Sequence, residues 1–193
     1  IDSLLWAVNK IEANQDLNNQ LTAHFTSLGL DFSKRMILIT GHRRQNFGSG
    51  FVNICQAIKE IALSHPDIDL VYPVHLNPNV QQPVNEILSS IANVKLVEPQ
   101  DYQPFVFLMQ KSYLILTDSG GVQEEAPSLR KPVLVMRDTT ERPEAVDAGS
   151  VTLVGTDKRL IVDSVNRLLN DRQYYLQKVN VQNPYGAGNT SEQ

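Results

Sequence analysis

Short apolar runs that alternate with segments of helical spacing are the feature of this sequence that most restricts its fold. Runs of this length, rich in Val, Ile and Leu, are typical of strands buried on both faces. They cover residues 36–40, 70–74, 94–97, 113–117, 132–136 and 150–154. Helical patterns lie between them, over residues 51–63, 80–91, 104–111 and 121–129, and another follows the last run, over residues 157–169. This alternation predicts βαβ units, and therefore an α/β fold with a doubly wound, Rossmann-like parallel sheet.

The segments before and after this pattern differ from it. Apolar residues recur at helical spacing over the first thirty positions, which predicts two short helices that end near Gly29 and connect to the main domain. We therefore divide the chain into connector helices (1–30), a Rossmann-like domain (31–172) and a C-terminal segment (173–193). The chain starts without Met and stops in a polar stretch, so we expect it to be part of a longer protein.

Charge and apolar content exclude several classes of function. The net charge is −4, whereas a nucleic-acid-binding domain normally carries a basic stripe. A few local Arg or His side chains are still enough for a phosphate ligand. No apolar run approaches the about 20 residues needed to span a bilayer, and the N-terminus lacks the pattern of a signal peptide. We expect a cytoplasmic protein that binds neither nucleic acid nor membrane.

Cys55 is the only cysteine in the sequence, which excludes a disulfide within the chain and any site with several cysteine ligands. A single cysteine also fits a reducing compartment. It falls in a helical pattern with Phe51, Ile54 and Ile58, so we interpret it as a core residue rather than a nucleophile.

Polar residues follow the end of each of the first five predicted strands. In doubly wound sheets, ligands bind at the carboxyl ends of the strands, near a switch in strand order. The polar segments are residues 41–48, 75–79, 98–102, 118–121 and 137–144. The sequence therefore predicts a ligand site along one edge of the sheet.

The glycine-rich turn at residues 118–121 is the strongest candidate on this edge, and it leads into Glu124 and Glu125. Glycines allow close approach to the backbone, and the free N–H groups at a helix start attract phosphate. Ser119 adds a hydroxyl donor, and one carboxylate a turn further on can reach the hydroxyls of a ribose. The alternative is an ordinary helix cap with flexible glycines, followed by acids that complement the helix dipole.

Other segments of the same edge carry basic and aromatic residues. The loop at residues 41–44 brings an imidazole and two guanidinium groups, which suit phosphate, although a surface loop paired to acids would look the same. His75 fits either a ligand contact or a structural hydrogen bond. Neither His42 nor His75 has a second histidine or a carboxylate beside it at the spacing of metal ligands. Gln100 and Phe105 fit the recognition of a base, but Phe105 fits the core equally well.

Five separated motifs resemble the non-hydrolysing bacterial UDP-N-acetylglucosamine 2-epimerases. They occupy residues 40–44, 72–78, 117–127, 137–144 and 183–188, and the resemblance extends over the whole chain. It implies a glycosyltransferase-B-type protein of two Rossmann-like halves, of which this chain is the C-terminal, UDP-binding half. The C-terminal segment 173–193 would return toward the other half, which carries the carboxylates credited with the chemistry at the sugar.

The resemblance also implies the reaction. The family inverts C2 of UDP-GlcNAc to give UDP-ManNAc, through elimination of UDP and its re-addition. No metal ion and no nicotinamide cofactor is required, and family members are usually homodimers. Two alternatives stay open: a hydrolysing relative that releases ManNAc and UDP, and a non-enzymatic module that binds nucleotide sugars.

Residue roles follow from the resemblance alone. Ser119, Gly120 and Gly121 would hold the diphosphate, Glu125 the ribose, and Gln100 and Phe105 the uracil. His42, the catalytic candidate, and Arg142 would lie near the phosphates and the sugar. Arg43, Arg44 and His75 are candidates for contact with a second, activating UDP-GlcNAc. The family motif usually has Glu where this chain has Gln45, so the adjacent arginines lose an acidic partner.

Overall fold

The computed structural model describes residues 2–41, 43–140 and 143–180. Its centre is a parallel six-stranded sheet in the order β3-β2-β1-β4-β5-β6, which confirms the predicted doubly wound arrangement. The strands are β1 Met36–Thr40, β2 Asp69–Pro73, β3 Val94–Val97, β4 Leu114–Thr117, β5 Val133–Val135 and β6 Val151–Leu153. The chain builds outward from β1 to β3 and then returns to place β4 on the other side of β1. The switch in strand order therefore lies between β1 and β4.

Every predicted helical segment contains a helix, although the ends differ. The helices are α1 Asp2–Ala13, α2 Gln15–Ser27, α3 Ser49–Ser64, α4 Pro78–Leu88, α5 Tyr102–Lys111, α6 Gly120–Glu125, α7 Pro143–Asp147, α8 Lys158–Asn170 and α9 Arg172–Val179. Two short helices, α7 and α9, were not predicted. Helix α4 begins before its first apolar residue, because the Asn77 side chain accepts the N–H of Asn79 at 2.9 Å and Pro78 takes the first helical position.

The single helix predicted over residues 121–129 is instead α6 followed by a 3-10 turn over Ala126–Leu129. Pro127 has no N–H to donate to the carbonyl of Gln123, so regular α-helical bonding stops there. Arg130 then closes the turn in the left-handed conformation, with φ 57°. The result is a short helix that begins at the predicted glycine-rich turn.

Alternate residues of the strands feed two cores, one on each face of the sheet. Ile37 and Ile39 pack with α3, α4 and α8, whereas Met36 and Leu38 pack with α1, α2 and α5. The N-terminal helices therefore lie on the domain itself, and the Phe25 and Phe107 rings of α2 and α5 stack at 5.9 Å. The boundary placed at residue 30 stays a prediction. Within the described residues, no helix combines the length and apolarity needed to cross a bilayer.

Cys55 is fully buried in the core between α3 and the sheet, as its helical spacing predicts. Burial disfavours the charged form and raises the pKa of its thiol to about 12. The thiol is therefore protonated at neutral pH and is shielded from reagents.

We expect Cys55 in the folded chain to resist a thiol-reactive disulfide reagent at pH 8, and to react stoichiometrically once urea unfolds the chain. The colour released by the reagent measures both states, and Cys55→Ala provides the blank. Rapid stoichiometric reaction of the folded chain would contradict the assignment of Cys55 to the core.

Candidate functional site

The carboxyl ends of β1 and β4 form the base of the candidate site. Thr40 and Thr117 are register partners in the adjacent strands, and their buried hydroxyl groups form a hydrogen bond. The N–H of Asp118 donates to the carbonyl of Thr40 at 3.2 Å, so the pairing continues into the glycine-rich turn. The loops that leave β1 and β4 therefore start side by side at the switch in strand order, where ligands of such sheets bind.

A cleft of about 210 Å³ opens above these strand ends. It brings together four residues predicted from the sequence: His75, Gln100, Phe105 and Ser119. Thr40, Pro73, Pro99 and Val122 complete its lining. The Phe105 ring also packs against the core beside α5, so the two interpretations left open for it describe two faces of one ring.

Helix α6 starts at this cleft. The N–H of Ser119 donates to Thr117 Oγ1 at 3.0 Å and so is already engaged, whereas the Ser119 hydroxyl makes no capping hydrogen bond within the described residues. Gly120 and Gly121 are the first helical residues, and their N–H groups precede the point at which intrahelical bonding begins. The donors that the turn offers to a ligand are therefore these two N–H groups and the Ser119 hydroxyl.

Gly121 is a glycine that the fold itself does not require. Its φ is not positive, and a Cβ built there would meet only Ser119 Oγ, at 3.9 Å, in otherwise open space. Neither backbone strain nor packing excludes a side chain at this position. What a side chain would occupy is the space beside the Ser119 hydroxyl at the start of α6.

Glu125 ends α6 and is half-buried. Its Oε2 accepts a hydrogen bond from the Tyr102 phenol at 3.0 Å. Partial burial of that phenol, with the hydrogen bond to Glu125 and the charge of the carboxylate, raises the pKa of Tyr102 to about 12. Sequence reasoning placed Glu125 one turn beyond the glycines but gave no role to Tyr102.

Gln123, on α6, is a second residue to which sequence reasoning gave no role. Its side chain is completely buried, and its Oε1 accepts the hydroxyl of Thr140 at 2.6 Å. The bond ties α6 to the segment that follows β5. Sequence spacing could have indicated that Gln123 is buried, because the buried Ala126 and Pro127 follow it by three and four positions, the spacing of one helical face.

Asp118 is buried beneath the site and fixes the loop that follows β1. Its Oδ2 accepts the backbone N–H of Arg43 at 3.0 Å and the side-chain amide of Asn46 at 3.4 Å. Asn46 also donates to the Met136 carbonyl at 3.3 Å. On the other side, the buried Tyr72 hydroxyl donates to the Gly41 carbonyl at 2.7 Å. The loop that begins at Gly41 and carries the arginines predicted to bind phosphate is thus fixed by hydrogen bonds to the buried side chains of Asp118 and Tyr72.

A second, more polar cleft of about 440 Å³ lies next to the first. Arg43, Arg44, Gln45, His75 and Asn77 line it. His75 therefore borders both clefts, and its Nδ1 accepts the N–H of Asn77 at 3.1 Å. The three residues predicted to contact a second ligand, Arg43, Arg44 and His75, therefore line the same cleft, and two of them contribute guanidinium groups.

Two predicted residues and one motif lie outside the described residues. They are His42, Arg142 and the segment 183–188. Their roles near the phosphates and the sugar, and in the family signature, stay predictions.

The family is identified by comparison with known proteins. The family model for UDP-N-acetylglucosamine 2-epimerases matches residues 1–193. The chain is 59% identical over 188 residues to a UDP-N-acetylglucosamine 2-epimerase of Yersinia pestis, and 58% identical over 188 residues to that of Escherichia coli K12. Each match covers 97% of this chain and 50% of the relative. The chain thus spans about half the length of the curated relatives it matches.

Solved structures agree with this assignment. UDP-GlcNAc 2-epimerase from Neisseria meningitidis, determined bound to UDP-GlcNAc, matches with a TM-score of 0.94 at 49% identity, over 99% of this chain and 51% of that one. The Methanocaldococcus jannaschii enzyme, in complex with UDP-GlcNAc and UDP, matches with a TM-score of 0.79 at 34% identity, over 99% of this chain and 50% of that one. The C-terminal domain of a group 1 glycosyl transferase from Francisella tularensis, at 17% identity and a TM-score of 0.61 over 82% of this chain and 86% of that one, shows the shared fold alone. The chain belongs to the UDP-N-acetylglucosamine 2-epimerase family.

Proposed function

We propose that this chain is the UDP-binding half of a non-hydrolysing UDP-GlcNAc 2-epimerase, which interconverts UDP-GlcNAc and UDP-ManNAc. The observation that carries the proposal is the cleft at the switch in strand order. There Ser119, Gln100 and Phe105 meet, and Gly121 leaves space beside the first of them. An aromatic face, an amide and a group of N–H donors are what a base and a diphosphate require.

The proposed binding mode places the diphosphate on the N–H groups of Gly120 and Gly121 and on the Ser119 hydroxyl. Glu125 accepts the ribose hydroxyls, while Gln100 and Phe105 contact the uracil. His42 and Arg142 act near the phosphates and the sugar, with His42 as the catalytic candidate in this chain. The adjacent cleft, with Arg43, Arg44 and His75, takes a second UDP-GlcNAc that activates the enzyme.

The chemistry that this half supplies is stabilisation of the leaving group. In the proposed elimination, the C2 proton is removed and the C1–O bond breaks, with its electron pair departing on UDP. Re-addition of UDP and return of a proton to the opposite face of C2 then give the epimer. Fixed N–H donors and positive charge near the phosphates lower the barrier because they stabilise charge that develops on the departing oxygen. The groups that act on C2 belong to the other half of the proposed protein, which forms a homodimer.

Titration by calorimetry tests the binding part of this proposal. We expect UDP to bind weakly, with a dissociation constant between about 10 µM and 1 mM, because half of the proposed site is supplied by the other domain. UMP should bind more weakly than UDP, since it lacks the second phosphate, and ADP should not compete. Absence of both heat and a thermal shift at millimolar UDP would overturn the proposal.

Product analysis separates this reaction from hydrolysis. The isolated chain should leave UDP-GlcNAc unchanged, and the protein with both halves should give UDP-ManNAc. Free ManNAc as the product would instead identify a hydrolysing enzyme. Nucleotide-sugar and free-sugar products are distinguished by anion-exchange chromatography.

A further inference from the structure

Tyr102 and Glu125 form a side-chain hydrogen bond between two helices that border the candidate site. Tyr102 is the first residue of α5, and Glu125 is the last residue of α6. The phenol donates to Glu125 Oε2 at 3.0 Å, across 23 positions of sequence. The phenol carries a single proton, so this bond uses the only donor that the side chain has.

Packing of the two helices does not depend on this bond. Helix α5 buries Val106, Phe107, Leu108 and Met109 completely, and α6 is anchored by the buried Val122 and Gln123. Tyr102, by contrast, is 44% exposed. A hydrogen bond between partly exposed side chains adds little to the stability of a core that is already closed. Its larger effect is on the Glu125 side chain, whose free rotation it restricts.

The position of Tyr102 in the chain links this bond to the cleft. Gln100 precedes it by two residues and Phe105 follows by three, and both line the cleft beside Ser119. The segment proposed to contact the uracil is therefore tied to the helix whose end is proposed to contact the ribose. Because Oε2 accepts from the phenol, Oε1 is left as the oxygen with full capacity for a ribose hydroxyl.

We infer that Tyr102 is a positioning residue, which holds the Glu125 carboxylate in the orientation that accepts a ribose hydroxyl. The inference rests on the proposed function, since it concerns how that same site recognises a ribonucleotide. A tyrosine phenol is already protonated at neutral pH, and burial with the neighbouring carboxylate raises the pKa of Tyr102 further, to about 12. Tyr102 therefore stays a donor throughout the pH range in which a ribose would bind.

Calorimetry on the full 193-residue chain tests this role with two probes, UDP and its 2′,3′-dideoxy analogue. Tyr102→Phe should weaken UDP binding about three- to tenfold, because it removes one hydrogen bond to a charged group that contacts the ligand. The same variant should bind the dideoxy analogue as the unsubstituted chain does. In a Glu125→Ala background, which has no side-chain acceptor for the phenol, Tyr102→Phe should cause no further loss for UDP.

Tyr175→Phe is a matched control, since the Tyr175 hydroxyl donates to the Tyr113 carbonyl at 2.8 Å outside the cleft. It removes a comparable phenol hydrogen bond and should leave UDP affinity unchanged. Equal UDP affinity of Tyr102→Phe and the unsubstituted chain would overturn the inference alone. So would an equal loss for both probes, which indicates a general structural role. Failure of the unsubstituted chain to bind UDP would overturn the proposed function, and this inference with it.

Discussion

Gly121→Ala is expected to weaken UDP binding by about ten- to a hundredfold while leaving the folded chain as stable as before, or slightly more stable. The new Cβ would project into open space beside Ser119 Oγ, where the diphosphate is proposed to lie. Forcing a methyl group into an occupied contact costs about 1–3 kcal/mol, which corresponds to the stated loss of affinity. Stability should hold because alanine favours a helix over glycine by up to ~1 kcal/mol.

Gly50→Ala is the matched control for this substitution. Gly50 is the second residue of α3, as Gly121 is of α6, and its φ is not positive. A Cβ at Gly50 would meet Thr156 at 3.4–3.6 Å, which is near-ordinary contact outside the cleft. In calorimetry with UDP, Gly121→Ala should therefore bind more weakly than Gly50→Ala. In urea unfolding, the two variants should have similar stability. Full UDP affinity in Gly121→Ala would exclude the start of α6 as the phosphate site.

The central strands could be predicted from the sequence because they are buried on both faces. Strand β1 matches its predicted run at both ends, since every residue in it is buried and a charged residue and a glycine flank it. Strand β6 lacks the first and last residues of its predicted run, because its pairing with the three-residue strand β5 covers only Val151 to Leu153. Helix α9 was not predicted, because it has no buried residue and so no apolar stripe.

The sequence was sufficient to predict which loops form the candidate site, but not the hydrogen bonds that fix these loops. Residues that follow the carboxyl ends of parallel strands share one edge of the sheet. This rule was sufficient to group Ser119, Gln100 and Phe105, which line one cleft. The bond from the Arg43 N–H to Asp118 joins positions 75 apart, and no local pattern encodes such a pairing. The Tyr102 to Glu125 bond is likewise a product of tertiary packing. Sequence patterns therefore grouped residues that line the cleft and missed the side chains that hold its loops in place.

Asp118 is the supporting residue with the largest expected effect. Its replacement by alanine removes a buried carboxylate, so that the Arg43 N–H loses its acceptor and the Asn46 amide keeps only the Met136 carbonyl. Loss of a buried, hydrogen-bonded carboxylate is expected to lower the free energy of unfolding by about 2–4 kcal/mol. The loop at 43–46 would lose its attachment to the end of β4, directly before Ser119, so UDP affinity should fall at least about tenfold.

Asp69→Ala provides the comparison that separates these two effects. Asp69 is similarly buried, but it is the first residue of β2 and so lies at the amino ends of the strands, away from the cleft, where its Oδ2 accepts the N–H of Asp31 at 2.9 Å. Its loss should lower stability by a similar amount and leave UDP affinity intact, provided that binding is measured well below the unfolding midpoint. Asp118→Asn, which keeps an acceptor oxygen without the charge, should fall between the unsubstituted chain and Asp118→Ala in both measurements. Equal UDP affinities for Asp118→Ala and Asp69→Ala would mean that the Asp118 carboxylate stabilises the fold without shaping the site.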